Sequence, residues 1–148
     1  MMVDYLLERD EDIIRNGVIL LVDLEGITYQ HALHLPPSLV KKALNSWQNC
    51  YPIKIKRFDL INVATCYNVV LNIFRKFMKQ KLKDRMHTHG YNIESLHKFV
   101  SPEALLDSYQ GSGGSLEDHR DYWKKTITAA REWFLENEKY KPDAPLSK

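Results

Sequence analysis

The run Val18–Leu24, VILLVDL, constrains the fold more than any other stretch of this chain. It is apolar except for one aspartate, rich in β-branched residues and too short for a free-standing helix, the pattern of a strand buried on both faces of a sheet. A second run, Ile53–Val63 (IKIKRFDLINV), alternates apolar and basic residues at its start and becomes more apolar at its end, which also predicts a strand. A short third strand is expected over Arg85–His89, closed by Gly90. Helical patterns separate these strands. Ser38 is placed to cap a helix running to about Asn49, with Leu39, Ala43, Leu44 and Trp47 at helical spacing and Pro52 beyond its end. Ala64 or Thr65 opens another, to about Gln80, in which Tyr67, Val70, Leu71, Phe74, Phe77 and Met78 form a broad apolar stripe. Strands alternating with helices imply parallel pairing, because a parallel neighbour cannot be reached by a tight hairpin. The expected class is α/β: a small, mainly parallel sheet flanked by helices, with Val18–Leu24 at its centre.

Tyr5–Arg15 reads as a short helix stopped by Asn16-Gly17, and Ile93–Phe99 as another that leads to Pro102. Gln110–Ser115 (QGSGGS) is expected to be a flexible loop. Ser115-Leu-Glu-Asp118 then resembles a capping box for a final helix to about Asn137 that buries Trp123, Ile127 and Phe134. From Lys139, with Pro142 and Pro145, the chain reads as a disordered tail. A length of 148 residues, 44% apolar and 27% charged, suits one domain, expected over 1–138 with a tail over 139–148. No apolar run reaches the ~18 residues that a membrane span needs, and Met1–Arg15 is too acidic for a secretory signal, so a soluble cytoplasmic protein is expected. Cys50 and Cys66 are the only cysteines and form no C-x-x-C pair, which excludes a zinc ribbon or a disulfide framework. Both are expected as buried thiols.

The net charge of +2 conceals an asymmetry. Between Lys41 and Lys98 there are twelve Lys and Arg against three Asp and Glu, a local +9 that leaves −7 for the remainder. Such a basic face could meet acidic headgroups, nucleic acid or only solvent. Lys54, Lys56 and Arg57 precede the striped helix, and Lys76, Lys79, Lys81, Lys83 and Arg85 accompany or follow it, so an apolar surface rimmed by cations is expected, as a membrane-facing element requires. The residues that could do acid–base or metal chemistry are Asp23, Glu25, His31, His34, His87 and His89. Asp23 and Glu25 sit at a strand end, where α/β folds place sites, and His87 and His89 alternate along a strand. Neither a nucleophile elbow nor a phosphate-binding glycine loop is present.

Four segments, in order and at their spacings, resemble the CRAL-TRIO lipid-binding domain: NGVILLVDLEGITYQHA from Asn16, YPIKIKRFDLINV from Tyr51, FRKFMKQKLKDRMHTHG from Phe74, and the Tyr109 turn followed by SLED at Ser115. The resemblance runs from about Leu6 to Phe134 and is nearest the branch of alpha-tocopherol transfer protein, retinaldehyde-binding protein and the clavesins. It implies a non-enzymatic carrier, with no cofactor or metal, that holds one lipophilic molecule between the sheet and a movable gate helix, here Thr65–Gln80. It further implies phosphoinositide headgroup contacts at Lys54, Lys56, Lys81 and Arg85, and a cavity lined by Val22, Ala43, Trp47, Tyr51, Phe58, Val70 and Phe74. The turns at Asp23 and at His87 match structural motifs of the family. Two departures stand out. The usual Leu-Pro-x-Glu-Tyr-Gly-Gly is Leu105-Leu106-Asp107-Ser108-Tyr109-Gln110-Gly111 here, and the family's N-terminal helical module and first strand have no counterpart in this sequence.

The function expected from all this is binding and transfer of a tocopherol, retinoid or other lipid by a monomer. It would dock peripherally on endosomal or other phosphoinositide-containing membranes, without nucleic acid. The alternatives are an interaction or regulatory module that binds acidic membranes or a protein partner without a cavity and, more remotely, a metal-dependent hydrolase using Asp23, Glu25, His87 and His89.

Overall fold

The computed structural model describes residues 2–28, 30–31, 34–64 and 67–140, with Val69 as backbone only. In chain order the elements are α1 (Met2–Arg9), α2 (Glu11–Asn16), β1 (Val18–Asp23), α3 (Pro37–Asn45), β2 (Ile55–Ile61), α4 (Asn68–Phe77), α5 (Gln80–Lys83), β3 (Met86–Thr88), α6 (Glu94–His97), α7 (Leu116–Ala129) and α8 (Arg131–Asn137). They fall into two compact units, one of Leu7–Val100 and one that joins the first six residues to the chain from Ser101.

In the first unit the three strands pair in parallel in the order β1-β2-β3, so the α/β class and the small parallel sheet are as the sequence predicts. The order within the sheet is not. β2 is central, with Asp59, Leu60 and Ile61 buried, whereas β1 lies at an edge of the described sheet with Ile19 exposed. An apolar run reports that a strand is covered; its place in the sheet depends on pairings that the run does not contain. Leu20, Phe58 and Met86 align across the strands, and this row packs under α3 and α4 with Val40, Leu44, Met78 and Leu82 as the core. Each such side chain contributes about 1.5–3 kcal/mol when fully buried. Gly17, at φ +75°, turns the chain from α2 into β1, and a β-carbon there would lie 2.3 Å from the Lys54 carbonyl oxygen, so only glycine fits.

Several boundaries differ from expectation for local reasons. The first helix is split at Asp10, whose carboxylate accepts the Asp12 N–H at 2.9 Å and caps α2. Pro36, not Ser38, occupies the cap position of α3, and Pro37 fills its first turn. That helix ends at Asn45 and continues to Cys50 as one wide π turn. Cys50 is exposed rather than buried, and Cys66 lies outside the described residues.

In the second unit Ser115 caps α7 as expected, its Oγ accepting the Asp118 N–H at 3.1 Å and donating to Asp118 Oδ2 at 2.7 Å. The predicted single helix breaks at the buried Ala130 into α7 and α8, and Trp123, Ile127 and Phe134 are half-buried rather than buried. Tyr5 packs edge-on to Trp133 at 5.6 Å between ring centres. The glycine-rich stretch is pinned instead of free. Ser112 and Gly113 donate to the carbonyls of Pro102 and Leu105 at 2.9 and 2.8 Å, and Gly111 lies so close to Leu105 that a β-carbon would fall 2.0 Å from its carbonyl oxygen. Residues 141–148 of the expected tail lie outside the described residues.

Candidate functional site

The helix-covered side of the sheet encloses an apolar cavity of about 240 Å³ within the first unit. Its floor is Val22 and Leu24 of the β1 end, Phe58 and Leu60 of β2, and Met86 of β3; its roof is Tyr67, Val70, Leu71, Phe74 and Met78, one face of α4 and its flanks. Strand alternation places Phe58 and Leu60 on the same side, and helical spacing does the same for Val70, Leu71 and Phe74. Ile27, His31 and Leu35, all exposed, form its open rim. Four of the seven residues expected to line a cavity therefore meet here: Val22, Phe58, Val70 and Phe74.

Trp47 and Tyr51 lie elsewhere. Their rings, 5.7 Å apart, belong to a second, larger cleft of about 440 Å³ bordered by the π turn, the chain entering β2, and the segment from Lys79 to Arg85. Lys54, Lys81 and Arg85 line this cleft together, and so does Lys79, which the resemblance did not single out. Among the described residues no carboxylate lines it. Arg85 donates through Nη1 to the Ile55 carbonyl, and Lys79 Nζ donates to Asn49 Oδ1. Lys56 is exposed but does not line the cleft, and Ala43 is exposed and lines neither space.

A single break in the chain joins the two spaces. The striped helix was expected to run unbroken from Thr65 to Gln80, but α4 ends at Phe77 and Met78 is extended, with ψ 139°. Thr65 itself lies outside the described residues. Gln48 holds the break. Its Nε2 donates to Phe77 O at 3.2 Å and its Oε1 accepts the Lys79 N–H at 2.6 Å, satisfying a carbonyl and an amide that the helix would otherwise have paired. Met78 consequently turns into the apolar cavity while Lys79, the next residue, turns into the basic cleft.

The acid–base residues picked out in the sequence are dispersed. Asp23 Oδ1 accepts from the Glu25 N–H and from Asn62 Nδ2, each at 2.8 Å, and so closes the loop after β1. His31 accepts from Thr28, His34 is exposed, and His87 stacks on Phe99 at 6.4 Å. His89 binds Asp59 Oδ1 through Nε2 at 2.9 Å and Ser95 Oγ through Nδ1 at 2.6 Å. Asp59 is wholly buried and also receives Arg57 Nε on both oxygens at 2.8 Å, while the Arg57 guanidinium lies 3.8 Å over the Phe99 ring. Among the described residues no three His, Cys, Asp or Glu side chains converge to hold a metal ion. No helix among them is long and apolar enough to cross a membrane.

The family model for the CRAL/TRIO domain matches residues 1–111. Mouse (Mus musculus) "Alpha-tocopherol transfer protein-like" is 29% identical over 120 residues, covering 81% of this chain and 34% of that protein. Human (Homo sapiens) "Clavesin-2" is 28% identical over 120 residues, 80% of this chain and 36% of that protein, and Xenopus laevis "Clavesin-1" is 27% identical over 123 residues. The chain thus spans about a third of the length of the curated relatives it matches. With the parallel sheet, the striped α4 and three-quarters of its length inside the family model, this chain belongs to the CRAL/TRIO domain family.

Proposed function

We propose that this chain binds a hydrophobic small molecule in the cavity beneath α4 and docks through the basic cleft on phosphoinositide-containing membranes, endosomal or other, delivering its cargo there without a covalent step. The observation that carries this reading is the stretch Phe74–Lys81, which supplies Phe74 and Met78 to the apolar cavity and Lys79 and Lys81 to a cleft that no carboxylate lines among the described residues. Apolar burial at about 25 cal/mol per Å² would drive cargo binding, and basic side chains near an anionic surface would each add about 1 kcal/mol to docking. Because both act on one stretch, headgroup contact at Lys79 and Lys81 would pull on the roof at Met78 and ease release. The name of the mouse relative, alpha-tocopherol transfer protein-like, agrees with a transported lipid.

Native mass spectra of the chain after incubation with a total lipid extract test the cargo. A one-to-one lipid adduct is expected, and a folded chain without adduct would count against it. Docking is tested with phosphatidylcholine vesicles containing or lacking a phosphatidylinositol phosphate. Lys54→Glu with Lys81→Glu should abolish the phosphoinositide-dependent binding, and Lys56→Glu, outside the cleft, should reduce it less. Equal losses would reassign docking to diffuse surface charge.

One observation favours a second reading. A cavity of about 240 Å³ lies below the ~300–1,000 Å³ of sites that enclose a drug-sized ligand. On that reading the domain is an interaction module that uses the cleft on acidic membranes or an acidic protein partner, and the cavity is a packing remnant.

A further inference from the structure

Among the described residues His31 is the one imidazole on the walls of the cavity beneath α4; apart from Tyr67, the other described lining side chains are aliphatic, phenyl or thioether. Its Nδ1 lies 2.9 Å from the Thr28 backbone nitrogen and 3.0 Å from Thr28 Oγ1. A backbone N–H can only donate, so Nδ1 accepts, and a neutral imidazole that accepts at Nδ1 carries its proton on Nε2. Among the described residues nothing accepts a hydrogen bond from that Nε2–H. The ring therefore offers one oriented donor at the rim of a space whose other described lining side chains, Tyr67 apart, are apolar.

We propose that His31 is the polar anchor of this cavity and that the molecule held there is an amphiphile with a carbonyl or hydroxyl oxygen near one end, bound tail first. The proposal rests on the cargo-binding reading and adds the class and orientation of the cargo. The rim residues Ile27, His31 and Leu35 are exposed, whereas Leu60, Leu71 and Met78 form the buried depth of the cavity. An oxygen acceptor bonded to Nε2–H thus stays at the mouth while the hydrocarbon fills the depth. A pure hydrocarbon gains the same apolar burial but leaves the imidazole to water, and the difference between the two is the net worth of one partly exposed hydrogen bond.

The test uses the full chain and two probes, a long-chain methyl ketone and the alkane of equal chain length, each competing with a bound environment-sensitive dye. The wild type should bind the ketone about fivefold more tightly, a preference lost in His31→Phe while alkane binding persists. In the wild type, long-range nitrogen–proton correlation spectra should show the Nε2–H tautomer of His31, with the Nε2 resonance moving on addition of ketone and not of alkane. That second measurement decides even where the variant fails to fold. Equal affinities for the two probes, a preference that survives in His31→Phe, or an Nδ1–H tautomer would each overturn the anchor while leaving the cavity as a binding site. Failure of a folded wild type to bind either probe would overturn the cargo-binding reading itself, and the anchor with it.

Discussion

Phe58 and Asp59 are neighbours on β2, yet Phe58 borders an apolar cavity while Asp59, on the other face, has no access to solvent and is bonded on both oxygens. On the side under α4 the described side chains leave a cavity between sheet and helix. At on the order of 24 cal/mol per Å³, a cavity of about 240 Å³ forgoes up to ~6 kcal/mol of packing, an upper figure because the rim at His31 is open. The opposite side is the reverse case. It buries ionisable polar groups, which is costly unless every one is paired, and there Arg57, His89, Ser95 and Phe99 supply the partners. One face borders the cavity, and the other locks the strands that make its floor. The comparison teaches where sensitivity should lie: the closed polar face should tolerate almost nothing, the open apolar face almost any shape that fits.

The largest effect should come from Asp59→Ala. It strands the Arg57 guanidinium and the His89 ring, whose side chains are only 15% and 5% exposed, without their shared partner. A loss of about 3–5 kcal/mol is expected in urea-induced unfolding, the range for breaking a buried pair by removing one member. A loss under about 1 kcal/mol would show that the network is incidental and that the contrast between the faces is only one of composition. Next in size is Gln48→Leu, which removes the donor to Phe77 O and the acceptor of Lys79 N–H at the break after α4. It should cost about 1–2 kcal/mol and raise hydrogen exchange selectively over residues 67–79, because two backbone groups lose their partners at once. Unchanged exchange in that segment would remove Gln48 as the clamp between roof and cleft.

Much of the floor and roof is legible in the sequence, and the clamp and the network are not. VILLVDL, the end of IKIKRFDLINV and the Val70, Leu71, Phe74, Met78 stripe each declare their element by a local period, and the cavity is what remains when those periods face each other. The break at Met78 has no local signal, since neither glycine nor proline is near; its cause is Gln48, about thirty residues earlier in the chain. Arg57 and Asp59 do share a strand face, as do His87 and His89, and that period could have been read. What joins them is the pairing of β2 with β3, which places Asp59 opposite His87 and is a tertiary fact. The cations were legible as charge, but only the fold separates Lys54, Lys79, Lys81 and Arg85, which share the cleft, from Lys56, which does not line it.

A matched pair of enlargements isolates the comparison at its smallest expected effect. Ile61 is fully buried at the end of β2 and lines neither space, so Ile61→Phe must push neighbours aside and should cost about 1–3 kcal/mol. Val70→Phe adds bulk where the roof of α4 faces the cavity, so its unfolding free energy should stay within about 0.5 kcal/mol of wild type. If the cavity serves a cargo, the same substitution should abolish uptake of a hydrophobic probe, separating function from stability at one side chain. If stability is untouched and probe binding also persists, the occupant uses another part of the molecule. If Val70→Phe is instead as costly as Ile61→Phe, the space beneath α4 is closed in solution, and the module that acts through the basic cleft alone becomes the better account.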